Sequence, residues 1–219
     1  GSSYVQATEL KPWHGYWVQN LASGSVPLVM PIVDASVIAT PKHVAAALPS
    51  DAGWSLQIAA ESGALMDDAN YVGVSPGAQD GYDVFDISEP PTMGDGALSL
   101  AIVQDQSSSR PGRYSTDFKS ATSSGSKWYF TVTSGSLSDG VRISISNLEK
   151  IPFETEMHLI DLDQHEHRNI RTTSEYLYVP TKGRLVRHFL LVAGPSSFVS
   201  EAINRATQPA IVSLSQNVP

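Results

Sequence analysis

The chain has no cysteine. Disulfide bridges, zinc–thiolate sites, iron–sulfur clusters and a cysteine nucleophile are thereby excluded, and stability has to come from packed apolar surface. Basic residues are also few: 14 Lys and Arg face 22 Asp and Glu, a formal net charge of −8. Nucleic acids and anionic membrane surfaces select basic faces, so neither is expected as a partner. No apolar run approaches the ~20 residues of a membrane-spanning helix, so membrane insertion is not expected either. Charged residues make up only 16% of the chain. A low charge content together with many Ser, Thr, Gly and Pro fits a β-rich surface.

Helix signals are scarce. Val44–Leu48 can make a turn or two before Pro49 ends it, and Phe198–Ala206 can make a short helix. Elsewhere the apolar period is two, with β-branched and aromatic runs between Gly, Pro, Asp and Ser clusters. Strands are expected near Gly15–Gln19, Val26–Met30, Trp54–Ala60, Tyr71–Val74, Ala97–Val103, Arg113–Phe118, Lys127–Thr133, Val141–Ser146, Met157–Asp161, Glu175–Val179 and Arg187–Val192. Val141–Ser146 alternates strictly, as a strand with one wet and one buried face does. This pattern predicts an all-β fold, mainly an antiparallel β-sandwich of jelly-roll or Ig-like type, with a small N-terminal β piece. No unit repeats at a fixed period, which excludes a solenoid or propeller.

The expected organisation is as follows. Residues 1–3 read as an expression scar, 4–33 as the N-terminal β element and 34–51 as a connector. Residues 52–195 form the sandwich, and 196–219 a polar linker with one helix.

The stretch Trp54–Pro91 holds the richest chemistry. It carries six carboxylates, Asp67, Asp68, Asp80, Asp83, Asp86 and Glu89, beside Tyr71, Tyr82 and Phe85. Calcium takes six to eight oxygens, and Asp67, Asp68, Asp80, Asp83 and Asp86, with Asn70, can supply them. Asp and Asn also cap turns by accepting bonds from backbone N–H groups. The acidic loop is thus a Ca2+ site or a hydrogen-bonded turn scaffold. Tyr82 and Phe85 are the aromatic side chains best placed in the loop to meet a ligand such as a sugar ring. Trp54 and Trp128 fall in strand patterns and are expected in the core.

Other candidates are weaker. Asp161-Leu162-Asp163 begins like an EF-hand, but Glu166 stands at the required glycine and Thr172 at the required glutamate. His165 and His167 would share a face on a strand, as a ligand pair does, yet a hairpin tip or loop explains them as well. His188 fits the edge of a strand with a basic start, and no functional role is assigned to it. No H-E-x-x-H is present, and no catalytic residue is assigned. Paired carboxylates for glycan hydrolysis need a separation of roughly 5 to 9.5 Å, which a sequence does not display.

Three segments carry a resemblance. Leu10-Lys11-Pro12-Trp13-His14-Gly15-Tyr16-Trp17-Val18-Gln19-Asn20, followed by Ser23-Gly24-Ser25-Val26-Pro27-Leu28, is similar to a "PW-x-GYWV-x-N…SG…L-x-I-P" element. That element occurs in large exported proteins of Bacteroidetes/Chlorobi-type bacteria. Asp68-Ala69-Asn70-Tyr71-Val72-Gly73-Val74, Gly81-Tyr82-Asp83 and Glu89-Pro90-Pro91 resemble the block that follows it there. Ser213-Leu214-Ser215-Gln216-Asn217-Val218-Pro219 resembles the lead-in to the "NPFNP" motif of an Ig-like C-terminal sorting domain linked to type IX secretion. The resemblance implies a secreted or outer-cell-surface protein, with this region as a non-catalytic spacer just ahead of a sorting domain beyond Pro219. Its partners would be neighbouring domains of the same polypeptide. A carbohydrate-binding module and a glycan-active enzyme domain are the alternatives.

Overall fold

The computed structural model describes residues 7–9, 16–27, 53–90, 97–121, 123–135, 140–181 and 185–208. The chain divides into two units, one of residues 5–47 and one of residues 1–4 with 48–219. In the smaller unit the described residues carry no strand. Tyr16–Gln19, expected as β, is irregular, as are Val26 and Pro27. Local bonding explains part of this. The Asn20 side chain accepts from Ala22 N at 2.9 Å and donates to Gly24 O at 2.7 Å, closing a turn on itself. The remainder of the 4–33 element, including 28–30, and the helical turn at 44–48 lie outside the described residues.

The larger unit is an all-β sandwich of two sheets. One contains β1 (Trp54–Ser62), β2 (Leu65–Ser75), β5 (Thr116–Ser120), β7 (Val141–Ser146) and β10 (Glu175–Tyr178), in the order β10-β7-β1-β2-β5. The other contains β3 (Ser99–Gln104), β4 (Gly112–Tyr114), β6 (Ser126–Thr133), β8 (Glu156–Asp161), β9 (Glu166–Asn169) and β11 (Val186–Gly194), in the order β4-β3-β6-β11-β8-β9. All pairings between these strands are antiparallel except β2 with β5.

Alternation builds the core. Leu56, Ile58 and Ala60 of β1, Val141, Ile143 and Ile145 of β7, and Trp128, Phe130 and Val132 of β6 all turn inward. Trp54 meets Trp128 edge-on across the two sheets at 5.7 Å, and Tyr176 meets Phe189 likewise at 5.6 Å. Such pairs are worth about 0.5–1.5 kcal/mol beyond their buried area. Gly63 at φ 58° supplies the left-handed residue of the β1–β2 turn.

β11 is a central strand between β6 and β8, and its run Phe189–Ala193 is buried throughout. Its outer face is covered by α1 (Ser196–Thr207), whose Val199 and Ala202 pack on Ile160, Leu190 and Val192. The part of residues 196–219 that is described is therefore a docked helix. A strand covered on both faces loses its polar alternation, which explains the unbroken apolar run.

Candidate functional site

The acidic stretch is folded differently from a single loop. Asp67 and Asp68 lie within β2, and only residues 76–90 are irregular. Asp67 Oδ2 accepts from Leu100 N and Oδ1 from Asn70 Nδ2, both at 2.7 Å. Asp80 Oδ1 accepts from Ser120 N at 3.1 Å, and both its oxygens lie 2.8 Å from Ser123 Oγ. Asp83 caps its own turn, accepting from Gln79 N and Phe85 N at 2.7 Å. Asp86 accepts from Asp83 N at 2.9 Å, Gln104 Nε2 at 3.2 Å and Phe118 N at 3.3 Å. The carboxylates thus lace the irregular segment onto β5 and β3. Among the described residues no three His, Asp or Glu side chains converge as a metal-ligand group.

Burial sets the electrostatics. Asp86 is pushed up to about 7, by desolvation first and then by the charge of Asp117. Glu89 is pushed up to about 8, by desolvation and then by Asp67, against the opposing pull of Arg113. Its Oε2 is buried without a hydrogen-bond partner. Asp67 and Asp117 are raised too, again chiefly by burial. Asp117 keeps the Lys119 ammonium at 2.9 Å.

Tyr82 and Phe85 are half-buried. Arg110 lies over the Tyr82 ring at 4.8 Å and donates to its hydroxyl at 3.0 Å. The Tyr82 ring lies 6.0 Å from Tyr114, and Phe85 meets Phe118 edge-on at 6.3 Å. Tyr82 thus packs against β4 and Phe85 against β5.

A concavity adjoins the stretch at Asp80 and Gly81. A cleft of about 560 Å³ opens where β3 ends, lined among others by Asp80, Asp105, Lys119, Lys127, Tyr129 and His188. Tyr129 is 47% exposed there, because β6 turns its odd residues away from the core. Lys119 is held by Asp80 O at 3.0 Å, and His188 by Asp163 Oδ2 at 3.1 Å. Tyr129 lies on that outward face of β6. Its position opposite Val103 and Leu190 is a property of sheet order.

A nucleophile-elbow spacing, which the sequence was expected to lack, is present. Gly73-Val74-Ser75-Pro76-Gly77 has the G-x-S-x-G spacing of a nucleophile elbow. That motif requires a strand, a sharp turn and then a helix. Here Ser75 closes β2, is 3% exposed, and is followed by a turn in which Ala78 N donates to Ser75 O at 3.1 Å. Gly73 has a packing reason instead, since a Cβ there would meet Trp54 O at 2.2 Å and the Phe118 ring at 2.7 Å.

The histidines also regroup. His165 sits in the β8–β9 turn at φ 57°, with Nδ1 3.2 Å from Ala206 O at the end of α1. The partner of His167 is His158, with the two Nδ1 atoms 3.2 Å apart. Burial, and then the charge of His167, pulls the His158 imidazole below its ordinary value. Asp161, the first residue of the apparent EF-hand, is fully buried. Its Oδ2 accepts from Tyr176 Oη at 2.7 Å and Arg187 Nε at 2.8 Å.

Comparison of the chain with family models, with curated proteins and with solved structures gives no match.

Proposed function

We propose that this chain is a non-catalytic accessory module of a secreted or cell-surface bacterial protein, spacing and supporting neighbouring domains of the same polypeptide. The observation that carries this reading is the use of the acidic stretch. Asp80 and Asp86 accept hydrogen bonds from β5 and β3 and so lock the irregular chain onto two sheets, Asp83 caps the turn within it, and Asp67 ties β2 to β3. Chemistry of that kind rigidifies a scaffold. The resemblance to the region ahead of a type IX sorting domain supports the exported location. The test is to offer the folded chain chromogenic glycosides, esters and peptides. An accessory module turns none over. Turnover that disappears on Asp105→Ala or Ser75→Ala would replace this reading with an enzymatic one.

A second reading rests on Tyr129. An exposed aromatic ring on the floor of a cleft edged by Lys119, Lys127 and Asp105 suits the C–H face and hydroxyls of a sugar. A glycan screen with Tyr129→Ala as control tests it: binding to one glycan class, lost in the variant, supports it.

A further inference from the structure

The β8–β9 hairpin pairs His158 with Asn169 and Ile160 with His167. His158 and His167 are therefore diagonal neighbours on one face, within reach of each other's long side chains. That face is the outer one, since the intervening Leu159 belongs to the main core. The rings lie 5.3 Å apart between centroids, with the two Nδ1 atoms separated by 3.2 Å. Two nitrogens on one zinc, at Zn–N bonds of about 2.0–2.1 Å and a tetrahedral angle, stand roughly 3.3 Å apart. The spacing of the free pair already matches that of a chelate.

The surroundings agree. Glu156 lies two residues before His158 on the same face and acts on it electrostatically. Arg168, between His167 and Asn169, turns to the opposite face, where its guanidinium lies over the Tyr176 ring at 4.9 Å. The nearest cation on the strand is thus directed away from the imidazole pair. His158 is half-buried and His167 exposed, so one side of the pair is open to water.

We propose that His158 and His167 form a two-imidazole site for a divalent transition metal, Zn2+, Ni2+ or Cu2+, with water completing the coordination. Imidazole selects these ions, whereas Ca2+ takes oxygen ligands. The site is distinct from the acidic stretch and from the cleft, and it stands whether or not the accessory-module reading does.

The experiment titrates the whole chain with NiCl2 and ZnCl2 by calorimetry and follows thermal unfolding in parallel. The expected result is one saturable site per chain and a rise in Tm of several degrees at an excess of metal about a hundredfold over Kd. His158→Gln and His167→Gln should each weaken binding by more than about tenfold. A variant with His14, His43, His165 and His188 all replaced by Gln should keep it. Near-UV circular dichroism checks each fold. If His158→Gln does not fold, the exposed His167→Gln decides alone. Cu2+ bound to the wild-type chain should show nitrogen hyperfine coupling from two imidazoles. No saturable binding, or binding that survives His167→Gln, would leave a hydrogen-bonded histidine pair only and overturn the proposal.

Discussion

The carboxylate of Asp67 in β2 accepts the backbone N–H of Leu100 in β3 at 2.7 Å, tying the five-stranded sheet to the six-stranded one through a single side chain. Leu100 itself is fully buried. Asp67→Ala should therefore leave a buried N–H unsatisfied and cost about 1.5–3 kcal/mol. Urea unfolding measures this directly, and an unchanged midpoint would mean that water replaces the carboxylate.

Calcium should have little effect on stability. Asp83 and Asp86 already accept backbone N–H groups on both oxygens. Recruiting them to an ion would break those bonds. Tm in CaCl2 and in chelator should agree within about one degree. A rise of several degrees with calcium, lost in Asp83→Asn, would return the stretch to the cation reading.

Stability should fall as pH rises. Glu89 and Asp86 have folded values near 8 and 7, above ordinary values of 4.5 and 3.8. The folded state therefore binds their protons more tightly than the unfolded state does. The resulting stabilisation is full below about pH 4 and is lost as pH rises through about 7 and 8. Glu89→Gln removes one of these groups while keeping its shape. It should flatten the decline between about pH 5 and pH 9 and stabilise most at the alkaline end. A profile identical to wild type would refute the burial of Glu89.

The buried ion pair between β8 and β11 should be costly to break. Arg187 reaches Asp161 Oδ2 at 2.6 Å through Nη2, and Tyr176 donates to the same oxygen. Arg187→Ala should cost about 3–5 kcal/mol, because Asp161 is left buried with its charge uncompensated. Replacing Arg187 and Asp161 together by apolar residues should cost less than this single change. Urea midpoints of the single and double variants test both statements.

Removal of α1 should uncover apolar sheet. Ending the chain after Pro195 exposes Ile160, Leu190 and Val192. That truncation should bind a hydrophobic dye and aggregate, whereas ending after Gln208 should not. Equal behaviour of the two chains would show that the helix is dispensable.

Much of the sandwich was legible because its strands alternate. β7 (Val141–Ser146) was read with its final boundaries, and β6 and β8 nearly so. The rest hid for identifiable reasons. β9 consists of Glu166-His167-Arg168-Asn169 and carries no apolar signal. The first half of β2 holds Asp67 and Asp68, residue types depleted in strands, yet Asp67 is retained there by its bond to Leu100. The His158–His167 pair depends on which residue of β8 faces which of β9, a register set by the length of the turn between them. Tyr82 and Phe85 stood out by composition, but Arg110 and Phe118, distant in sequence, cover them. Tyr129 stands between the core residues Trp128 and Phe130, and only sheet order shows that its side faces water.

The order in which strands enter the two sheets has a kinetic and mechanical consequence. Following the chain, β1 and β2 belong to one sheet, β3 and β4 to the other, and β5, β6 and β7 then alternate between them. The sole parallel pair among the described residues, β2 with β5, closes only after the chain has passed through the opposite layer. Neither sheet can therefore assemble from one contiguous stretch, and no single cut yields two fragments that each fold. Refolding should be slow for the chain's size, on the order of milliseconds to seconds or longer, as expected where distant pairings dominate. β1, where the sandwich begins, and β11, where it ends, lie in different sheets, so tension applied through them loads the packing between the two layers.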